Sequence, residues 1–233
     1  LALGGNALLD PETEKSVTVI NAASRGDVNG DDALDIGDII AVVKHIIGAR
    51  PISESYRPYA DIAPWPSGDG LINARDLALM NSIILSGVYP DGAILSFSGD
   101  GNEFSKSAQD LSVEFKASYS EGNLQIEMRN AQCIGGVQFE CGSVEAFDSD
   151  LIQSCFSAVK TFLRDDGTFI LLGYNPEGAE IPSGDWMNVA TIPLDANGVL
   201  PALRTIASDC RGDIVASGVA QIHLETGSSE QHY

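Results

Sequence analysis

Residues 27–38 read DVNGDDALDIGD, and this stretch determines how the first part of the chain folds. It places oxygen-bearing side chains at positions 1, 3, 5, 9 and 12 of a twelve-residue loop and offers the main-chain carbonyl of position 7. A hard cation the size of Ca²⁺ takes six to eight oxygens at about 2.3–2.6 Å. The spacing therefore predicts a calcium loop. Its ligands are Asp27, Asn29, Asp31, Ala33 through its carbonyl, Asp35 and Asp38.

An apolar stretch follows the loop and predicts a helix from Ile36 to about Ile47. Asp35 is the predicted N-cap and Gly48 the predicted stop. The last loop carboxylate, Asp38, then lies in the first helical turn. A solvated acidic turn is the alternative, and the regular spacing of the acidic residues directly before a helix argues against it.

The loop-helix unit recurs with a constant offset of 38 residues, since residues 30–39 align with residues 68–77. Glycine stands at the tight sixth position of the second loop, at Gly70. We expect Leu34 to pack against its counterpart in the second copy, Ile72. Two copies of one unit are the simplest explanation of this repeat.

The front half of the second loop departs from the pattern, because counting back places Trp65 at position 1 and an indole cannot bind the ion. Asp61 lies four residues earlier, and an insertion would let it close the site. Ser67 or a main-chain carbonyl then takes the role of position 3. Two calcium ions are therefore expected. The predicted ligands of the second site are Asp61, Ser67, Asp69, Leu71 through its carbonyl, Asn73 and Asp76.

Residues 26–85 resemble a type I dockerin, a module of two calcium-loop and helix repeats found in cellulosome enzymes and related extracellular proteins. The likeness rests on the motif GDVNGD, followed by an apolar residue, Asp or Asn, and a closing Asp. It implies that two Ca²⁺ ions order the fold. It also implies that one helix face docks onto a cohesin, which is a β-sandwich protein.

The chain departs from the dockerin pattern at loop positions 10 and 11, where dockerins usually carry small hydroxyl residues that help to recognise the cohesin. Here these positions hold Ile36 and Gly37 in the first repeat, and Ala74 and Arg75 in the second. These four are the predicted partner-binding residues. Ile36 indicates a more apolar contact, or else it packs inside the domain. Partner choice cannot be carried over from the cellulosomal type.

From Leu111 onward, short runs rich in β-branched and aromatic residues alternate with turns, and they predict about eight strands in a β-sandwich or jelly roll. Asp166-Gly167 is a hairpin signal. The predicted fold class is therefore α+β as two domains. The boundaries are a lead-in at 1–22, a helical domain at 23–89, the sandwich at 90–226 and a polar tail at 227–233. Within the lead-in, residues 17–20 read VTVI and could add a strand to another subunit by β-augmentation.

The β-rich half is similar to a cohesin at three short motifs: GGVQF at 135–139, LLGYN at 171–175 and GAEIPSG at 178–184. Carbohydrate-binding sandwiches share this class of topology and present exposed aromatic residues to sugars. Only Trp65 and Trp186 are available as tryptophans here. We expect Trp186 to pack in the core or at a strand edge, as lone aromatics usually do.

All four cysteines lie in the β-rich half, which suits two disulfides in an exported domain. The pairing stays open among three possibilities, and four reduced thiols in a cytosolic protein are the alternative. The first residues show no basic and apolar signal peptide, so the chain is expected to be a mature form. The disulfide candidates are Cys133, Cys141, Cys155 and Cys210.

Composition excludes several classes of function. With 13 basic and 33 acidic residues the formal charge is −20, which would repel nucleic acids and anionic membranes. No apolar run approaches the roughly 18 residues that a membrane helix needs. The sequence lacks a nucleophile elbow and a histidine cluster, and a glycosidase pair normally needs a longer chain to build a cleft. We therefore predict that the protein is not an enzyme.

Together these features predict a secreted, non-catalytic assembly module of the extracellular space or cell surface. The expected partner is a cohesin-like or dockerin-like domain, which includes another copy of this chain. Either the helical domain and the sandwich of one chain pack on each other, or the helical domain of one subunit docks onto the sandwich of the next. The second arrangement builds a homo-oligomer or filament. The rival hypothesis is a carbohydrate-binding accessory piece of a polysaccharide-degrading system.

Overall fold

Three helices precede a set of β-strands in the computed structural model, which describes residues 25–95, 113–196, 200 and 202–224. The lead-in at 1–22, with its predicted strand at 17–20, lies outside the described residues, and so does the tail at 227–233. Among the described helices, none is long and apolar enough to cross a membrane.

The helices are α1 (Ile36–Ile46), α2 (Arg57–Ala60) and α3 (Ala74–Ser86). Asp35 caps α1 by accepting a hydrogen bond from the Gly37 amide at 2.8 Å, so its predicted role as N-cap is confirmed. Asn73 caps α3 in the same way. Each of α1 and α3 is therefore started by a residue of the preceding acidic loop.

The helical domain buries the apolar faces of α1 and α3 against each other. Ile39 and Val43 of α1 are buried with Met80 and Ile84 of α3. Leu34 is buried in the same cluster, and Ile72 is partly buried against it. The cluster also takes in Tyr89 and Leu95, beyond α3. Burial of these aliphatic side chains is the main force that holds the two repeats together.

Eleven strands within the described residues form two sheets that pack face to face. One sheet has the order β11-β1-β2-β8-β4, with β5 also paired to β8, and the other has the order β10-β9-β3-β7-β6. The strands are β1 (Val113–Ser120), β2 (Asn123–Asn130), β3 (Ile134–Cys141), β4 (Val144–Phe147), β5 (Gln153–Ser154), β6 (Ala158–Leu163), β7 (Phe169–Tyr174), β8 (Gly184–Ala196), β9 (Leu203–Asp209), β10 (Ile214–Ala220) and β11 (Ile222–Leu224).

The sandwich core follows the alternation of its strands. In β2, Leu124, Ile126 and Met128 are fully buried, whereas Gln125 is exposed, Glu127 is half-buried and Arg129 is exposed. Strands β6 and β7 form the predicted hairpin, and Gly167 at its turn has φ of 81°. The predicted fold of a helical domain followed by a β-sandwich is confirmed.

The expected number of about eight strands is too low, and β9 is the most informative strand that the sequence analysis missed. It reads LRTIASD, lies between β10 and β3, and buries residues on both faces. A strand that is covered on both sides need not alternate apolar and polar residues, so its pattern is weak. Its second face is covered by the helical domain, through Ile206.

One disulfide forms, between Cys133 and Cys210. It joins the residue before β3 to the residue after β9, so it links two neighbouring strands at one end of their sheet. Cys141 and Cys155 are free, and the prediction of a second disulfide is wrong. Cys141 is buried at the end of β3, whereas Cys155 is exposed beyond β5, which belongs to the other sheet.

Replacing Cys133 and Cys210 together with serine should lower the free energy of unfolding of the sandwich by about 2–5 kcal/mol, because the disulfide closes a loop with a sequence separation of 77. Denaturant unfolding followed by circular dichroism measures this loss. The matched control is Cys155→Ser, which removes an unpaired surface thiol and should change stability by no more than about 0.5 kcal/mol. Equal stability of the two variants would contradict a structural role for this disulfide.

Candidate calcium loops and docking surface

The first acidic loop is held by hydrogen bonds from its own backbone to its carboxylates. Asp27 accepts from the Gly30 amide at 2.7 Å and from the Asp32 amide at 3.1 Å. Asp31 accepts from the Ala33 amide at 3.0 Å. These bonds curl the chain, so that alternate side chains face the inside of the loop.

Asp38 connects the two ends of this loop from within α1. One carboxylate oxygen accepts from the Val28 amide at 2.7 Å and from the Asn29 amide at 3.3 Å, and the other accepts from the Asp35 amide at 2.9 Å. Its side chain is fully buried. The first turn of the helix therefore fixes both the start and the end of the loop through one carboxylate.

The carboxylates of the first loop are buried close together, which is unfavourable without a cation. Burial, together with the charge of Asp31, raises the pKa of Asp35 to about 7. Burial also raises the pKa of Asp38 well above its usual range, with the Asp35 charge adding to the effect. The charge of Arg204 offsets part of the shift in the pKa of Asp35. A cation among these groups would reverse both shifts, so the donor set fits Ca²⁺.

The second loop repeats this hydrogen-bond pattern across its insertion. Asp61 accepts from the Asp69 amide at 2.9 Å and the Gly70 amide at 2.7 Å, much as Asp27 binds its own loop. Asp76 accepts from the Ile62 and Ala63 amides, each at 2.8 Å, which matches the role of Asp38. The structure thus brings Asp61 to the place of the first ligand.

These hydrogen bonds place the insertion at residues 64–67. The Ala63 amide donates to Asp76 as the Asn29 amide donates to Asp38, so Ala63 is the equivalent of Asn29. An alanine side chain offers no ligand there. Ser67 lies in the exposed part of the insertion. The back half is regular, with Asp69 accepting from the Leu71 amide at 3.0 Å and Asn73 from the Arg75 amide at 2.9 Å. The second site therefore has fewer side-chain ligands in place than the first.

The helical domain packs on the outer face of the sheet that contains β3, β7 and β9. Leu172 and Tyr174 of β7 and Ile206 of β9 belong to the apolar cluster of the helical domain rather than to the sandwich core. Gly136 of β3 lies directly beneath α1, since a Cβ atom built there would be 2.8 Å from Ile36 Cγ1. We call this interdomain contact the dock.

Gly37, at position 11 of the first loop, is needed for a close approach in the dock. A Cβ atom at this residue would lie 2.7 Å from the carbonyl oxygen of Gly212, in the turn between β9 and β10. The side-chain amide of Asn29 donates to that same carbonyl at 3.2 Å. A residue of the first acidic loop therefore contacts the sandwich directly.

A polar rim surrounds the apolar centre of the dock. Lys44 Nζ forms a salt bridge with Glu180 at 2.8 Å and donates to the Gly178 carbonyl at 3.0 Å. Arg50 donates to the Arg211 carbonyl at 3.0 Å. Lys44 is two turns beyond Ile36 on the same face of α1. That spacing is the one sequence signal that could have identified it.

Helix α3 contributes a second, smaller part of the dock. The Asn81 side-chain amide donates to the Tyr174 hydroxyl at 3.2 Å. Arg164, just beyond β6, donates to the carbonyl oxygens of Ile84 and Leu85 at 3.0 and 3.1 Å, so a cation lies at the carboxyl end of α3. None of these residues is predicted by the sequence pattern.

The four predicted partner-binding residues separate into two pairs. Ile36 and Gly37 are buried in the dock, and Ile36 is also part of the core of the helical domain. Ala74 and Arg75, at the same positions of the second repeat, are exposed. Only the first repeat therefore turns this face towards the sandwich.

Residues 25–85 match the family model of the dockerin type I domain. The resemblance of the helical domain to type I dockerins is thus confirmed. The matched segment covers both acidic loops and all three helices of the dockerin-like domain. No curated protein matches the chain.

Solved structures similar to the chain include cohesin modules. The non-cellulosomal cohesin from Archaeoglobus fulgidus is 9% identical over 52% of this chain and 99% of its own, with a TM-score of 0.34. A cohesin of Acetivibrio cellulolyticus scaffoldin B, solved in complex with a Cel5 dockerin, is 10% identical over 48% of this chain and 99% of its own, with a TM-score of 0.31. A GH20 exo-β-N-acetylglucosaminidase from Vibrio harveyi is also similar, at 7% identity and a TM-score of 0.34, over 52% of this chain but only 19% of the enzyme.

Asp31→Asn should weaken calcium binding at the first loop by on the order of tenfold or more, because it removes one anionic ligand from the set. Asp32→Asn is the matched control, since it removes the same charge from the exposed sixth position, which is not among the predicted ligands. Calorimetric titration of both variants measures the difference. Equal loss in both would mean that charge alone, and not ligation, holds the ion.

Gly37→Ser should open the dock, because the added Cβ atom would clash with the backbone carbonyl of Gly212. Moving the backbone to relieve such a clash costs about 1–3 kcal/mol. Serine is a better helix residue than glycine, so α1 itself should not suffer. Small-angle scattering should show a larger radius of gyration. Arg75→Ser, at the same position of the exposed second repeat, should leave the radius unchanged, and a compact Gly37→Ser variant would contradict the dock.

Proposed function

We propose that this protein is a calcium-dependent, extracellular protein–protein assembly module that acts by dockerin–cohesin recognition. The observation that carries this proposal is the dock itself. The face of α1 that follows the first calcium loop packs on the outer face of a β-sandwich sheet, with an apolar centre and a polar rim. One chain thus contains both complementary surfaces.

Different residues of the first loop have different roles in the proposed recognition. Asp27, Asp31 and Asp38 shape the loop and fix it to α1, while Asn29 reaches the sandwich. Bound calcium would supply positive charge and oxygen coordination at the centre of the ring. With the loop ordered, Gly37 and Ile36 are held where the sheet can accept them. Type I dockerins generally bind calcium, and we propose one ion in each loop.

Secretion is part of this proposal, and two features support it. A disulfide between Cys133 and Cys210 suits an oxidising compartment. A net charge of −20 suits a soluble surface that repels other anionic surfaces. Self-association of copies would be head to tail, and it would extend into a filament or surface structure wherever the ring of copies does not close.

The rival carbohydrate-binding function gains no support from the aromatic residues of the sandwich. The Trp186 ring lies under the Lys116 ammonium group, at 3.6 Å from the ring centroid, and under the Arg129 guanidinium group, at 5.2 Å. Two cations therefore occupy part of the surface on which a sugar would stack. We do not propose glycan binding, and we assign no catalysis to the chain.

Cutting the chain between its two domains tests the proposed recognition. A specific protease site inserted between residues 96 and 112 allows the helical domain and the sandwich to be separated after purification. With calcium, the two pieces should elute together from a sizing column, because the dock holds them. With a chelator they should elute apart, because the first loop no longer positions α1.

The calcium dependence is then checked with the loop variants. Asp31→Asn should raise the calcium concentration needed for co-elution, while Asp32→Asn should not. Pieces that separate in saturating calcium would refute the recognition. Pieces that stay together in chelator would refute its dependence on calcium.

A further inference from the structure

The dock covers the outer face of β3, β7 and β9 with the helical domain of the same chain. Building on the function proposed above, we propose that the trans partner of this surface is a second copy of the chain. Two copies exchange helical domains reciprocally, and the Lys44–Glu180 pair selects the match. The single chain docked on itself is the resting state.

The Lys44–Glu180 pair has the chemistry of a selective contact. The side chain of Lys44 is only 10% exposed, and its ammonium group lies between the Glu180 carboxylate and the Gly178 carbonyl. Like charges at these two positions would repel each other, and water screens part of that repulsion because the Glu180 side chain is 43% exposed. The pair therefore distinguishes a matched docking partner from a mismatched one.

Chain connectivity permits the exchange. Residues 96–112 connect the last described residue of the helical domain, Leu95, to Val113 at the start of β1. A connection of this length spans up to about 60 Å when extended, which is enough to reach a neighbouring molecule. The disulfide between Cys133 and Cys210 lies within the sandwich. No covalent link in the described residues crosses the dock itself.

The dock has the polar character of a reversible interface rather than of a single fused core. Asn81 is buried in it, yet its side-chain oxygen accepts no hydrogen bond from the described residues. The same holds for the side-chain oxygen of Gln138, which lies between Leu172 and Ile206 in the sheet register. Unsatisfied buried acceptors weaken an interface, so the dock can open and re-form.

A closed pair satisfies more contacts than an open chain of copies. In a reciprocal exchange, both docks are formed with only two molecules, whereas a filament leaves a free surface at each end. The wild-type chain should nevertheless stay monomeric at micromolar concentration, because docking within one chain does not depend on protein concentration, whereas exchange between chains does. The exchange becomes visible when the contact within each chain is weakened.

Charge reversal provides the test, with two full-length variants, Lys44→Glu and Glu180→Lys. Within each variant, the reversed residue meets a like charge, so its own dock is weakened. Between the two variants, both docks regain an opposite pair. Mixing them in calcium should give a two-chain heterodimer in native mass spectrometry, at least about tenfold more abundant than either homodimer.

A second pair of variants tests the same exchange by shape instead of charge. Gly136→Ala adds a methyl group that meets Ile36, and Ile36→Ala on the other chain makes room for it. Within each variant, residues 36 and 136 no longer fit each other. In the mixed pair, one dock contains both substitutions, which fit each other, and the other dock contains neither. This pair keeps the proposal testable if a charge variant fails to fold, which a calcium titration and circular dichroism will show.

The outcomes separate this proposal from the function on which it rests. A heterodimer in either mixture supports the exchange. Mixtures that stay monomeric, or that form open polymers, overturn it. The double variant Lys44→Glu/Glu180→Lys should again dock on itself. If it does so in calcium while the mixtures stay monomeric, the proposed recognition stands and the exchange alone is wrong.

Discussion

The buried carboxylate of Asp38 is the interaction on which the rest of the structure depends. It accepts hydrogen bonds from both ends of the first loop while it belongs to the first turn of α1. The position of the loop relative to the helix is therefore fixed through this one side chain. A carboxylate in this position is costly unless a cation balances it, so a bound ion would act on the geometry of α1. Because α1 carries Ile36 and Gly37, the proposed coupling would extend to the sandwich.

Asn29 makes this connection direct, since it lies in the ligand loop and donates to the Gly212 carbonyl. The turn that holds Gly212 follows Cys210, whose disulfide ties β9 to the residue before β3. The end of the sheet that the disulfide crosslinks is thus the end that contacts the first loop. Residues 23–89 contain nine acidic and five basic residues, so the helical domain carries only a small part of the net negative charge. Most of the net charge belongs to the sandwich.

Local patterns in the sequence predicted local structure well. The loop rhythm, the cap at Asp35 and the recurrence after 38 residues each depend on a few neighbouring residues, and the structure shows the corresponding turns and helices. The place of Asp61 was also predictable, because only this carboxylate lies near enough before the insertion. The residue at loop position 3 was not predictable. Ser67 has a side-chain oxygen that could bind the ion, but the structure places Ala63 at this position.

Contacts between distant parts of the chain were beyond the sequence pattern. A lysine near the end of a helix is usually explained by the helix dipole, and nothing local connects Lys44 to a glutamate 136 residues away. Strand β9 was missed for a related reason, because its outer face is buried by the helical domain. The cysteine pairing depended on which strands are neighbours, and that order is set by the whole sheet.

The most direct test of the account is a proton contact across the dock. In calcium, nuclear Overhauser effects should connect the methyl groups of Ile36 and Ile40 to the α-protons of Gly136, because the side chains lie against that glycine. On adding a chelator these signals should vanish, while the contact between Phe115 and Phe139 in the sandwich core persists. Absence of the signals in calcium, or their survival without it, would contradict a calcium-ordered dock.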